Sequence, residues 1–220
     1  MQRKTINTIV FLVGAYVICQ AIADIGATKM VQVFGFVIPG GTFVFAFTFT
    51  LRDVLHKRLG KRWATAAIWT AGLLNIFQAL YLWAIGQLSA PVWFALNEPW
   101  GAIFAIVPAI TIGSITAELL SENIDTEIYH LIKTRVPRIP QWARVLLSNA
   151  VSLPIDSLTF ALLAFVILPP LFGGETMPVW AALQLTIGQI VFKAIVTLLS
   201  LPTIYLVKDQ SILSAQKPMI

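Results

Sequence analysis

The chain carries little charge. Only 11% of its 220 residues are Asp, Glu, Lys or Arg, against roughly 25% in a soluble domain. With 58% hydrophobic residues and a mean hydropathy of +0.83, this composition excludes an ordinary water-soluble fold and points to a single membrane domain spanning residues 1–220. Cysteine is nearly absent too. Cys19 stands alone, so no intrachain disulfide and no cysteine metal cluster can form. The two histidines, His56 and His130, lie beside basic residues near expected helix ends. A metal site has little to build on, and no cofactor is expected. No nucleophile elbow, histidine-rich motif or nucleotide loop occurs, which leaves an intramembrane enzyme only Asp125 and Asp156 as an acid–base pair. The chain is not expected to be an enzyme.

What the sequence does hold is long apolar runs. A membrane span needs about 20 mostly apolar residues. Runs near 6–23, 31–51, 64–86, 101–121, 145–168 and 181–207 qualify, so the expected fold is an all-α polytopic bundle of six transmembrane helices. Pro39-Gly40-Gly41 breaks the second run, which is expected to be kinked or partly re-entrant. Pro108, Pro154 and Pro202 mark kinks in the last three.

The basic residues fall on one side of this arrangement. Arg3 and Lys4, then Arg52, Lys57, Arg58, Lys61 and Arg62, then Lys133, Arg135, Arg138 and Arg144, and finally Lys208 and Lys217 make thirteen of the fifteen. The positive-inside rule then places both termini in the cytoplasm, with an inner-membrane location. Arg3 and Lys4 before an apolar run, with Ala21-Ile22-Ala23 following, also resemble a signal peptide. An uncleaved first span is preferred because the rest of the chain stays apolar and needs an orientation. Trp93, Trp100 and Trp180 fall near the outer ends, where an aromatic belt is expected. The net charge of +5 is thus a topology signal touching anionic lipid rather than a nucleic-acid surface.

Polar residues recur inside the spans at helical spacing. The fourth carries Thr111, Ser114, Glu118, Glu122 and Asp125; the fifth Asn149, Ser152, Asp156 and Thr159; the sixth Thr186, Gln189, Lys193, Thr197 and Ser200. Steps of three and four keep each set on one narrow face. Lipid penalises such faces, so the three should meet in the bundle interior. The Ser and Thr members read mainly as structural, bonding their own backbone. Asp156 and Lys193 read either as a structural ion pair or as ligand contacts. A cavity so lined offers carboxylates, amides and one ammonium, with aromatic faces at Phe45, Phe47, Phe49, Trp69, Tyr81, Trp83 and Phe160. Flat heteroaromatic ligands suit that mix, because adjacent N–H donors of a guanine-like edge complement a carboxylate.

Four segments carry a family resemblance. Gly41-Thr42-Phe43-Val44-Phe45-Ala46-Phe47-Thr48-Phe49-Thr50-Leu51-Arg52-Asp53, with Leu59-Gly60, resembles the second-span signature of the queuosine precursor transporter family, also called the vitamin uptake transporter group. Ser121-Glu122-Asn123-Ile124-Asp125-Thr126-Glu127-Ile128-Tyr129 resembles the end of its fourth span. Ser148-Asn149 through Asp156-Ser157-Leu158-Thr159-Phe160 resembles its fifth-span motif, and Phe192-Lys193 the Phe-Lys of its sixth. Ala46 stands where the family often has proline, and Glu118 where an uncharged residue is common. The resemblance implies a fold similar to the S components of energy-coupling factor transporters. It also implies secondary import of 7-cyano-7-deazaguanine or its aminomethyl relative, usually without an ATPase module. The expected substrate-binding residues are Glu118, Glu122, Asp125, Asn149, Asp156, Gln189, Lys193, Phe47, Phe160 and Asp53. A homo-oligomer is possible. An alternative is an S component docked on an ATP-driven partner, with Ala23 and Ala27 as a small-residue contact.

Overall fold

The computed structural model describes the backbone of residues 3–136 and 138–200; the side chains at 3–6, 46, 49, 50, 53, 56, 57, 61, 141 and 200 lie outside that description. Pro202, Lys208, Lys217 and the last part of the sixth expected span are therefore also outside it. The described chain is mostly helical. Helix α1 (Arg3–Gly26) leads into a hairpin of β1 (Met30–Val33) and β2 (Phe36–Pro39). Then follow α2 (Thr42–Leu59), α3 (Lys61–Gly86), a short α4 (Asn97–Ala105), α5 (Val107–Arg135), α6 (Gln141–Leu162) and α7 (Val179–Ser200). A π-helical turn (Leu163–Ile167) and a 3-10 turn (Pro169–Phe172) end α6. Among the described residues, five helical segments are long and apolar enough to cross a membrane: Asn7–Gly26, Arg62–Gly86, Asn97–Arg135, Trp142–Ile167 and Val179–Leu199.

The expected second span is not one helix. Its first part alternates branched and aromatic residues around Phe34-Gly35, a pattern that favours strands over helix. Met30 pairs with Pro39 and Val33 with Phe36. Phe34 and Gly35 form a two-residue turn with φ of 50° and 83°, the positive values of the primed turns that suit a hairpin. The expected break at Pro39-Gly40-Gly41 is where the strand ends and α2 begins. An isolated hairpin is marginal, and this one is anchored: Ile38 is fully buried, and Gly188 of α7 leaves room for the Val37 carbonyl, which a Cβ would strike. Gly41 fits against α1 so closely that a Cβ there would overlap the Ala23 carbonyl oxygen.

Proline sets the other breaks. Pro108 stands in the first turn of α5, where its missing N–H costs nothing, and the helical run from Asn97 is interrupted two residues earlier, at Ile106. Pro154 sits within α6. At 29 residues, α5 is about 43 Å long, more than the roughly 30 Å hydrocarbon layer. Its last turns, with exposed Glu127, His130, Lys133 and Arg135, extend past that depth.

The molecule is apolar outside and polar inside. Val10, Phe11 and Ile18 of α1, Leu73 and Phe77 of α3, and Leu183, Ile187 and Leu198 of α7 are exposed, while Gln20, Asp24, Thr111, Asp156, Gln189 and Lys193 are buried. Water would penalise that outer surface and lipid solvates it. Small residues pack the interior: Ala27, Ala161, Ala164 and Ala182 surround Ile110, Phe165 and Leu185. A second cluster joins Tyr16 of α1 to Leu51, Leu55 and Leu59 of α2 and Ala64 and Ala71 of α3. The chain is thus a multi-pass, essentially all-helical membrane protein with one short hairpin.

Candidate functional site

The polar faces of α5, α6 and α7 turn inward and meet. Asp156 of α6 accepts a hydrogen bond from the Lys193 ammonium of α7 and, at 3.2 Å on its other oxygen, from the Ser121 hydroxyl of α5. Both ionic side chains are almost wholly enclosed, 3% and 2% exposed. Lys193 also sits 5.1 Å from the centre of the Phe45 ring, a cation–π distance. One helical turn before Lys193, Gln189 is buried and its Nε2 has no hydrogen-bond partner.

These groups line a cavity between α1, the hairpin, α2, α5, α6 and α7. Asp156, Lys193 and Gln189 form its charged and amide wall. Phe45 and Phe160 supply aromatic surface, and Ala23, Ala27, Gly41 and Ala117 keep it open. Asp24 lines it as well, receiving the Thr111 hydroxyl at 2.8 Å.

A second polar cluster lies beside it. The Arg52 guanidinium of α2 reaches Glu118 at 3.2 Å and Glu122 at 3.7 Å. The Tyr16 hydroxyl of α1 donates to Glu118 at 3.3 Å and accepts from Gln20 at 3.0 Å. Tyr16, Gln20, Asn75, Glu118 and Glu122 line a separate cavity against α3. Arg52, which the sequence places just past the expected second span, is instead a residue of α2 whose side chain is 17% exposed. Its long stem lets the guanidinium reach inward to the largely enclosed Glu118 carboxylate.

The expected site residues therefore divide. Asp156, Gln189, Lys193 and Phe160 come together at the main cavity. Glu118 and Glu122 belong to the neighbouring one. Asp125 accepts the Ser152 hydroxyl at 3.1 Å, linking α5 to α6, and it does not line the main cavity. Asn149 is half-buried two turns from Asp156 on α6 and is likewise not in the lining. Phe47 is 54% exposed on the outer surface of α2; Phe45, two residues earlier and so on a different face, takes the aromatic position instead. The Asp53 side chain lies outside the described residues. Asp24 was missed, although Tyr16, Gln20 and Asp24 are spaced by fours on the first span and form a stripe like the others. Ala23 and Ala27, expected to be a contact for a partner helix, are buried against Gly41 and the cavity. Among the described residues no cluster of His, Cys, Asp and Glu could hold a metal ion.

The family described as "Putative vitamin uptake transporter" matches residues 39–207, more than half of the chain. A curated relative from Bacillus subtilis (strain 168), named "Probable queuosine precursor transporter", is 27% identical over 198 residues, covering 89% of this chain and 81% of the relative. No solved structure matches the chain. The match runs over α2 to α7, which together with α1 and the hairpin surround the polar cavity, and the chain belongs to the vitamin uptake transporter family.

Proposed function

We propose that the chain imports queuosine precursors, 7-cyano-7-deazaguanine or its aminomethyl relative, by secondary transport through the main cavity. The observation that carries this reading is the lining itself. An ion pair, an amide donor without a partner and two aromatic rings share one enclosed space, and a flat, polar-edged heterocycle answers all three needs. The relative's name points to the same cargo. Gln189, Asp156, Lys193 and Phe160 are the contacts, joined by Phe45. Glu118 and Glu122, tied to Arg52, and Asp125, tied to Ser152, line or brace the route rather than hold the ligand. In this reading α2 completes six crossings of the inner membrane, both termini and the basic loops face the cytoplasm, and the chain needs no ATPase partner.

Uptake of labelled 7-cyano-7-deazaguanine by cells that cannot synthesise it tests the proposal. Cells expressing the chain should accumulate label and place queuosine in tRNA. Expression at the membrane with no gain over empty cells would remove the proposal. Labelling of single cysteines introduced at Arg58 and Trp93 should report opposite sides of the membrane.

A further inference from the structure

The carboxylates of the bundle are not equivalent. Asp156 is held by Lys193 and Ser121. Glu118 and Glu122 share Arg52, and Asp125 lies away from the cavity, bonded to Ser152. Asp24 differs from all of them. It lines the cavity, is 5% exposed, and among the described residues has the neutral Thr111 hydroxyl as its hydrogen-bond donor and no ion pair. A buried carboxylate supported by one hydroxyl has acceptor capacity left over, and leaving that capacity unused is costly.

Gln189 is its counterpart. The Nε2 atom is buried without an acceptor, on a different wall of the same cavity. A native structure rarely leaves such a donor idle unless something else fills the site. One unspent acceptor group and one unspent donor thus face a common space. The ligand edge that satisfies both presents a carbonyl oxygen beside adjacent N–H donors, as the pyrimidine ring of a guanine does. An adenine edge, with an amino group beside a ring acceptor, would place donor against donor at Gln189.

We propose that Asp24 is the specificity residue of the cavity, accepting the ring N–H and the 2-amino group of the ligand while Gln189 donates to the neighbouring carbonyl. This rests on the deazapurine reading above and names the residue that reads the purine edge. Asp156 then keeps Lys193 in place and does not select the ligand. Thr111 is a positioning residue that fixes how the Asp24 carboxylate points.

Calorimetric titration of the purified full chain in detergent tests this, with 7-cyano-7-deazaguanine and its 2-oxo counterpart 7-cyano-7-deazaxanthine as probes. The wild-type chain should prefer the 2-amino probe by about 100-fold, the size of the one hydrogen bond to a charged acceptor that the 2-oxo probe lacks. Asp24→Asn, whose amide can donate to a 2-oxo group, should abolish or reverse that preference. Thr111→Val keeps the carboxylate but frees its orientation, and should weaken the 2-amino probe by about tenfold with the 2-oxo probe unchanged. The second variant carries the test should Asp24→Asn not fold. Equal binding of the two probes by the wild-type chain overturns the assignment. So does a folded Asp24→Asn or Thr111→Val protein that keeps the full preference. In those cases deazapurine binding itself survives, whereas a wild-type chain that binds neither probe overturns the transport reading as well.

Discussion

Breaking the Asp156–Lys193 pair should damage the protein far more than removing it whole. Both groups are nearly sealed from solvent, where the attraction between unit charges about 4 Å apart reaches roughly 4 kcal/mol at an effective dielectric of 20. Among the described residues, Lys193→Met alone leaves Asp156 with the Ser121 hydroxyl, and Asp156→Asn alone leaves an ammonium beside an amide and the Phe45 ring. Losing one partner of a buried pair costs about 3–5 kcal/mol. For a chain of this length each kcal/mol moves Tm by about 2–4 °C, so either single variant should melt roughly 10 °C lower. The double variant removes both charges together and should recover most of that loss, because a neutral pair carries no unpaired charge. The assay is thermal unfolding of the four proteins in one detergent, read as a double-mutant cycle. Singles that melt within a degree or two of wild type, or a double whose loss equals the sum of the singles, would refute the argument that the pair is a coupled, desolvated unit.

Other perturbations follow the same geometry. Gly41→Ala should sharply reduce folded protein at the membrane, since its Cβ would overlap the Ala23 carbonyl; Gly14→Ala, with open space at its Cβ, should express normally. Arg52→Ala should lower Tm more than Glu122→Gln does, because Arg52 also supports the enclosed Glu118 whereas Glu122 is 37% exposed. Trp83→Phe removes the indole N–H that donates to the Phe172 carbonyl at 3.0 Å and should cost about 1 kcal/mol, visible as a small Tm shift with uptake retained.

The sequence revealed the membrane character and the inward polar faces because each rests on a strong local signal. An intramembrane Asp156 or Lys193 is expensive wherever it stands, and helical spacing fixes which residues share its face. Hydropathy could not distinguish the hairpin from a span, since strands and helices of branched and aromatic residues are equally apolar. Its period-two alternation and the Phe34-Gly35 turn were the available clues. Charge counting placed Arg52 in a loop because composition does not record where a long side chain points. Phe47 and Phe45 are equivalent in composition, and only the rotation of α2 separates the outer surface from the cavity. Asp24 obeyed the rule used for the other buried acids, and the Tyr16–Gln20–Asp24 spacing carried the signal. The partition of Glu118 and Asp156 between two cavities depends on how helices pack, which no single span encodes.

The central claim is that this chain alone carries a deazapurine through the cavity lined by Gln189 and Lys193. Its most direct test is uptake of labelled 7-cyano-7-deazaguanine into liposomes containing only the purified chain. Time-dependent uptake that unlabelled ligand competes away, and that Gln189→Leu abolishes in a protein with unchanged melting, is the predicted result; liposomes that take up no more label than empty ones, or a Gln189→Leu protein that transports like wild type, would contradict it.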